Sequence, residues 1–224
     1  MNLAIVLAGG KGLRMGYSIP KQFLLINDKP MIVQTLDAFN QCQYIDAICL
    51  VCLEEYKDEA KSLIEEYNLN KVKYIVNGGA TRQESVYEGL KAFKENGADD
   101  EDVILIHDGA RPFVSEEIIL NNIRACRQYG SVCTVVKTTD SILISKDGNL
   151  VDDYLNRNEL YNCQTPQTFK FKVILEAHTK ANKKGINDAT DDCVLVKRLN
   201  KYVYLVEGER TNIKITNPED LKKQ

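Results

Sequence analysis

Histidine is nearly missing from this chain: His107 and His178 are the only two in 224 residues. So small a supply argues against a histidine-rich metal centre. No apolar run reaches the length of a membrane-spanning helix, so no membrane partner is expected. A basic excess is also missing. The 29 basic residues are outnumbered by 32 acidic ones, for a net charge of −3, which argues against a dedicated nucleic-acid binder while leaving room for a local basic cleft. The seven cysteines are odd in number and lack the spacing of a disulfide framework. Cys49-Leu50-Val51-Cys52 does match C-x-x-C, but it lies inside an apolar run of strand character. Residues three apart on a strand face opposite ways, so these read as buried structural thiols. The amino-terminal segment has no signal-peptide layout, and the expected location is cytoplasmic. Internal repeats, low-complexity tracts and linkers are likewise missing, so one α/β domain over residues 1–224 is expected.

What is present begins at the amino terminus. The apolar run Leu3 to Leu7 feeds into Ala8-Gly9-Gly10-Lys11-Gly12-Leu13-Arg14-Met15-Gly16, followed by Pro20-Lys21-Gln22. Glycines at 9, 10 and 12 let the backbone turn sharply and approach a ligand. Successive N–H groups in such a loop form a concavity suited to phosphate. Arg14 adds a planar fork and Lys21 a mobile point charge. This pattern reads as a nucleoside triphosphate site. It is not a P-loop, for G-x-x-x-x-G-K-[ST] does not occur. The dinucleotide pattern G-x-G-x-x-G fits only loosely, since Met15 stands in its last place.

Periodicity predicts helices over Met31–Asn40, Glu54–Tyr67, Thr81–Glu95, Ser115–Tyr129, Phe169–Lys184 and Asp191–Leu199, with Ser115 and Thr190 as caps. Between them lie strand-like runs at Ala47–Leu53, Val72–Val76, Val103–Ile106, Ser131–Val136 and Tyr202–Val206. This alternation predicts a Rossmann-like α/β fold, a mainly parallel sheet with helices on both faces. The rhythm breaks over about residues 137–161. There Ser141 to Ser145, an Asp147-Gly148 turn and a second extended piece predict a projecting β-hairpin arm.

In such a sheet, ligands sit beyond the carboxyl ends of the strands, and polar clusters fall there. Gly78-Gly79 opens the helix containing Ser85, where N–H groups and a hydroxyl could read a base or ribose. His107-Asp108-Gly109-Ala110-Arg111-Pro112 follows the next strand. Asp108 suits Mg²⁺, which takes oxygen donors and usually one or two carboxylates; taken alone it could equally be a cap or a partner of Arg111. Arg157 with Gln164-Thr165-Pro166-Gln167 offers a fork and a hydroxyl for a substrate phosphate. Lys214, in a strand-like segment, reads by itself as an edge-strand lysine.

In order along nearly the whole chain, these blocks and Thr190-Asp191-Asp192 resemble the 2-C-methyl-D-erythritol 4-phosphate cytidylyltransferases and their relatives, the ribitol-5-phosphate cytidylyltransferases. The resemblance implies a Rossmann-like homodimer locked by the hairpin arm, with Mg²⁺ as cofactor and CTP and a small polyol phosphate as substrates. It implies that Ala8, Gly9, Gly10, Gly12, Arg14 and Lys21 hold the triphosphate, that Gly79 and Ser85 help read the nucleoside, and that Asp108 binds the metal. Arg111, Ser141, Arg157, Thr165 and Lys214 match positions around the sugar phosphate. Arg14, Lys21 and Lys214 are the implied catalytic residues.

Some residues depart from the pattern. Ala80 stands where an acidic residue is common, and Leu7-Ala8-Gly9-Gly10 is nearer the ribitol branch. Ser85-Val86, the Asp108 block and Thr190-Asp191-Asp192 favour methylerythritol phosphate and hence isoprenoid precursor synthesis. A dehydrogenase would need an acidic residue ending a second strand; Asp28 and Asp37 fit by number but not by place. A non-catalytic CTP-binding partner would leave Arg14, Lys21 and Asp108 without purpose.

Overall fold

The computed structural model describes residues 1–10 and 20–222, with side chains as far as residue 220. Along the chain run β1 (Asn2–Ala8), β2 (Leu25–Ile26), β3 (Lys29–Pro30), α1 (Met31–Gln41), β4 (Ala47–Cys52), α2 (Lys57–Glu66), β5 (Val72–Asn77), α3 (Arg82–Glu95) and β6 (Val103–Asp108). Then come α4 (Glu116–Tyr129), β7 (Ser131–Lys137), β8 (Leu143–Ile144), β9 (Asp153–Tyr154), β10 (Tyr161–Lys170), α5 (Phe171–Lys183), α6 (Asp192–Lys197) and β11 (Tyr204–Glu207).

Seven strands form one sheet in the order β11-β7-β10-β6-β1-β4-β5. All neighbours are parallel except β10, which runs antiparallel to both β6 and β7. The period of two along β1 explains why helices cover both faces. Ala4, Val6 and Ala8 join the core beneath α1, α2 and α4, while Leu3 and Ile5 join the core beneath α3, α5 and α6. Cys52 lies in the first core and Cys49 in the second, so the C-x-x-C pair is split by the sheet and both thiols are free. Burial pushes the Cys49 thiol up to about 12, which makes it inert. No helix among the described residues is long and apolar enough to cross a membrane.

Four expectations need correction. Tyr161 to Lys170 forms a central strand, so the next helix begins at Phe171 rather than Phe169. Pro166 hid that strand, because proline cannot donate to a ladder. Here it sits where the register against β7 shifts between Cys163 and Gln167, at a bulge that tolerates it. The cap of α6 is Asp191, whose carboxylate accepts the Val194 N–H, rather than Thr190. Lys214 lies outside any strand. Its segment is fixed instead by the Ile215 N–H donating to the Ala110 carbonyl at 2.8 Å.

The fourth correction concerns the arm. It leaves at Lys137 and returns at Tyr161, which pair with each other. Its strands β8 and β9 are short, and a loop from Ser145 to Asp152 joins them in place of a tight two-residue turn. Asp147 organises that loop, its carboxylate accepting from the Asn149 and Leu150 N–H groups. Local side-chain bonding of this kind stabilises a wider turn.

Candidate active site

A cleft of about 790 Å³ opens beyond the carboxyl ends of the parallel strands. Ala8, Gly9, Gly10, Lys21, Gly79, Ser85, Asp108 and Lys214 all line it. Arg14 and Gly12 lie outside the described residues.

The first loop is anchored from below. Gln22 is buried, and its amide donates to the Ala8 carbonyl at 2.5 Å and to the Gly10 carbonyl at 3.1 Å. Among the described residues, a Cβ on Gly10 would meet nothing within 4 Å, and one on Gly9 only the Ser85 hydroxyl at an ordinary 3.6 Å. Packing against the described protein therefore does not demand glycine at either place. Lys21 follows in a short 3₁₀ turn, and its ammonium donates to the Ile215 carbonyl at 2.7 Å. That bond and the Ile215–Ala110 bond bring Lys21 and Lys214 to the same wall.

On the opposite wall, α3 starts at a capping box in which Thr81 and Glu84 satisfy each other's backbone N–H groups. Ser85 is thereby turned inward. Its hydroxyl donates to the Thr81 carbonyl at 2.9 Å and accepts the Gly79 N–H at 3.2 Å. A Cβ on Gly79 would lie 2.3 Å from the Glu84 Cβ, so the capping box itself requires glycine there.

Asp108, the last residue of β6, is the hub. Its Oδ2 lies 2.9 Å from Lys214 Nζ and 3.8 Å from Arg111 Nε, and its Oδ1 lies 3.7 Å from Arg82 Nε. Burial alone would raise its pKa, but these three cations outweigh it and hold the carboxyl well below the usual carboxylate range. A Cβ on the next residue, Gly109, would stand 2.8 Å from the Leu7 carbonyl oxygen and 3.0 Å from Ile32 Cδ1. Only glycine lets β6 turn this close to β1. Behind Asp108, the Thr165 hydroxyl accepts the Asp108 N–H at 3.1 Å and meets His107 Nδ1 at 3.0 Å. His107 Nε2 faces the Arg111 carbonyl at 3.0 Å. One assignment satisfies every contact: Thr165 donates to Nδ1, and Nε2–H donates to the carbonyl. Burial keeps this imidazole neutral, with its pKa pushed down to about 4.

The residues expected around an acceptor phosphate divide into two groups. Arg111 and Thr165 are buried beside Asp108. Arg111 is held by the Asn212 carbonyl at 2.7 Å and the Cys163 carbonyl at 3.4 Å, and burial lowers its pKa. Its Nε is buried without a hydrogen-bond partner among the described residues. Ser141 and Arg157 sit instead on the exposed arm, outside the cleft lining. Arg157 there donates to the Thr139 carbonyl at 3.1 Å.

Two contributors were not legible as site residues. Gln22 carried only its place after Lys21. Arg82 lies in sequence between Gly79 and Ser85 with nothing to mark it, yet its guanidinium lines the cleft and reaches two carboxylates. The acidic residues a dehydrogenase would need are committed elsewhere. Asp28 occupies the tight turn between β2 and β3 with φ of 62°, and Asp37 pairs with Lys29 at 2.7 Å.

Comparison with known proteins agrees with this geometry. The family "IspD: 2-C-methyl-D-erythritol 4-phosphate cytidylyltransferase" matches residues 2–224. The chain is 46% identical over 220 residues to the 2-C-methyl-D-erythritol 4-phosphate cytidylyltransferase of Clostridium botulinum strain Langeland, covering 98% of this chain and 94% of that one. It is 39% identical over 221 residues to the ribitol-5-phosphate cytidylyltransferase of Streptococcus agalactiae serotype III, covering 98% and 92%. The crystal structure of the 4-diphosphocytidyl-2C-methyl-D-erythritol synthase from Anaerococcus prevotii superposes with a TM-score of 0.84 at 36% identity, covering 100% and 93%. A sheet with one antiparallel strand, a glycine loop facing Asp108 and Lys214, and these matches place the chain in the 2-C-methyl-D-erythritol 4-phosphate cytidylyltransferase family.

Proposed function

We propose that this chain transfers CMP from CTP to 2-C-methyl-D-erythritol 4-phosphate, releasing pyrophosphate, in isoprenoid precursor synthesis in the cytoplasm. The observation that carries the reading is the meeting of the Gly9-Gly10 loop, Lys21, Lys214 and Asp108 in one cleft. An acceptor phosphate oxygen bonds to the α-phosphorus of CTP, and the bond from that phosphorus to the oxygen bridging to the β-phosphate breaks. The electron pair leaves with pyrophosphate. The acceptor is already ionised, so no side chain need serve as a strong base. The chain's task is alignment and neutralisation of charge on the α-phosphate oxygens.

Lys21 and Arg14 are assigned to the triphosphate, with N–H groups of residues 8–12, and Lys214 to the reacting phosphates. Gly79 and Ser85 are assigned to the nucleoside. Asp108 is the one carboxylate among the described residues lining the cleft, and no cluster of three metal-ligating side chains occurs among the described residues. A lone carboxylate beside a triphosphate site fits Mg²⁺, which is commonly held by one or two carboxylates together with substrate phosphates. When bound there by Asp108, Mg²⁺ would supply further charge neutralisation.

The acceptor side is assigned to Arg111, Thr165, Ser141 and Arg157, the last two from the arm. Leu150 and Tyr154 on that arm are 71% and 65% exposed. Apolar exposure of this kind suits a protein interface, and we assign it to a homodimer in which each arm serves the neighbouring cleft. Pyrophosphate release from CTP and Mg²⁺ tests the reading, run in parallel with methylerythritol 4-phosphate and ribitol 5-phosphate. Preference for the first supports it. Preference for the second would move the chain to the ribitol branch, and release with neither would overturn the acceptor assignment.

A further inference from the structure

Arg82 stands between two carboxylates and belongs mainly to one. Its Nη1 donates to Asp192 Oδ2 at 2.8 Å, whereas its Nε stays 3.7 Å from Asp108 Oδ1. Asp192 is 1% exposed, and its other oxygen lies 3.0 Å from Nε2 of the fully buried His178. His178 Nδ1 has no hydrogen-bond partner among the described residues, while Nε2–H donates to the Asp192 carboxylate. The His178 ring lies parallel to Tyr87, at 6.2 Å between centroids. The Asp192 N–H donates to the Gln167 side chain at 3.0 Å, which ties the Asp192 backbone to β10. His178 and Gln167, neither of them in the cleft lining, hold Asp192 in place, and Arg82 is its one described partner that reaches into the cleft.

We propose that Asp192 is a positioning residue that holds the Arg82 guanidinium back from Asp108. Without that anchor, Asp108 is the one remaining carboxylate within 4 Å of Arg82 among the described residues. A charge-assisted fork draws a planar guanidinium onto a carboxylate at about 2.8 Å. Arg82 would then close over Asp108 Oδ1, the oxygen that Lys214 leaves uncovered. By pairing with Arg82 first, Asp192 keeps that oxygen open to the cleft. His178 keeps Asp192 from rotating, since it fixes the oxygen that Arg82 does not use. The inference rests on the function proposed above only for its kinetic consequence; the placement of Arg82 stands apart from it.

The test is a cycle of Asp192→Asn, Arg82→Gln and the double variant. An asparagine has one carbonyl oxygen for two donors, so it must turn its amide N–H groups towards either His178 or Arg82. We expect Asp192→Asn to lower kcat/KM for CTP by about tenfold or more, a size typical of residues that orient a site from behind. The double variant should match Arg82→Gln alone within about twofold, because with no guanidinium there is nothing left to restrain. A double variant that loses the product of the two single effects would overturn the proposal, as would wild-type constants for Asp192→Asn. Should Asp192→Asn fail to fold, the double variant, which removes both charges of the pair together, still gives the decisive comparison. A crystal structure of a folded variant supplies a readout independent of turnover. Arg82 of Asp192→Asn within hydrogen-bonding distance of Asp108 supports the proposal, and Arg82 left where it stands now contradicts it. That readout also separates a failure of this inference from a failure of the assigned reaction.

Discussion

The end of β6 and the hairpin arm treat polar side chains in opposite ways. Around Asp108 the groups are buried and bonded to one another: Thr165 to His107, His107 to the Arg111 carbonyl, and Arg111 to the Asn212 carbonyl. On the arm, Ser141 and Arg157 are exposed among equally exposed apolar residues. Burial in a low-dielectric site strengthens charge interactions and removes the need to reorganise during reaction. The first region is therefore prepared within one chain. The second lacks that burial, and the assigned dimer is what would supply it.

Lys21→Ala breaks the comparison most severely. If the prepared side carries the chemistry, kcat falls by about 100- to 1,000-fold, the usual size for losing one aimed charge. Thermal melting should fall by only a few degrees, from the lost bond to the Ile215 carbonyl, which circular dichroism would record alongside the kinetics. A variant turning over at near-normal rate would remove Lys21 from the site.

A pH effect of about 3 kcal/mol sharpens the same contrast. His107 is held neutral in the fold with a pKa of about 4, against about 6.5 in an unfolded chain. Between those values the unfolded state binds more protons, so stability is full above about pH 6.5 and declines as pH falls towards 4. Denaturant unfolding from pH 7 to pH 4 should show that loss. His107→Gln should flatten the slope over this window, whereas Arg157→Ala on the arm should leave it intact. Below about pH 4 a further loss is expected, since Asp108 and Asp192 both have depressed pKa values and their contribution disappears as they protonate.

Two glycine substitutions give the smallest effects and separate packing from binding. Gly109→Ala forces a Cβ against the Leu7 carbonyl and should destabilise by about 1–3 kcal/mol. Gly10→Ala meets open space among the described residues. It should leave melting unchanged and raise the KM for CTP about tenfold, the cost of disturbing one phosphate contact. Equal melting losses in both would mean that Gly10 serves the fold rather than a ligand.

Much of this was legible in the sequence because the relevant signals are local. The period of two in β1, the alternating helices and the excursion at residues 137–161 each follow from neighbouring residues. The glycine loop and Asp108 at a strand end were legible for the same reason. What was hidden depends on contacts distant in sequence. Strand β10 owes its place to partners on both sides, which override the proline in it. Lys214 is set by a bond from Ile215 to Ala110, and Arg82 by Asp192, far along the chain. Thr165 read as a substrate hydroxyl, and its bonds to Asp108 and His107, more than fifty residues back along the chain, were equally hidden.

The central claim is that one chain prepares the nucleotide side while a neighbour's arm supplies part of the acceptor side. Mixing two inactive variants tests it most directly: Lys21→Ala, which spoils the cleft, and Arg157→Ala, which spoils the arm. After unfolding and refolding together in equal amounts, random pairing of a twofold dimer would leave about a quarter of the sites intact. The account predicts that pyrophosphate release recovers to about that fraction of wild type. Activity no higher than the average of the two separate variants would contradict it, because each cleft would then depend on its own arm alone.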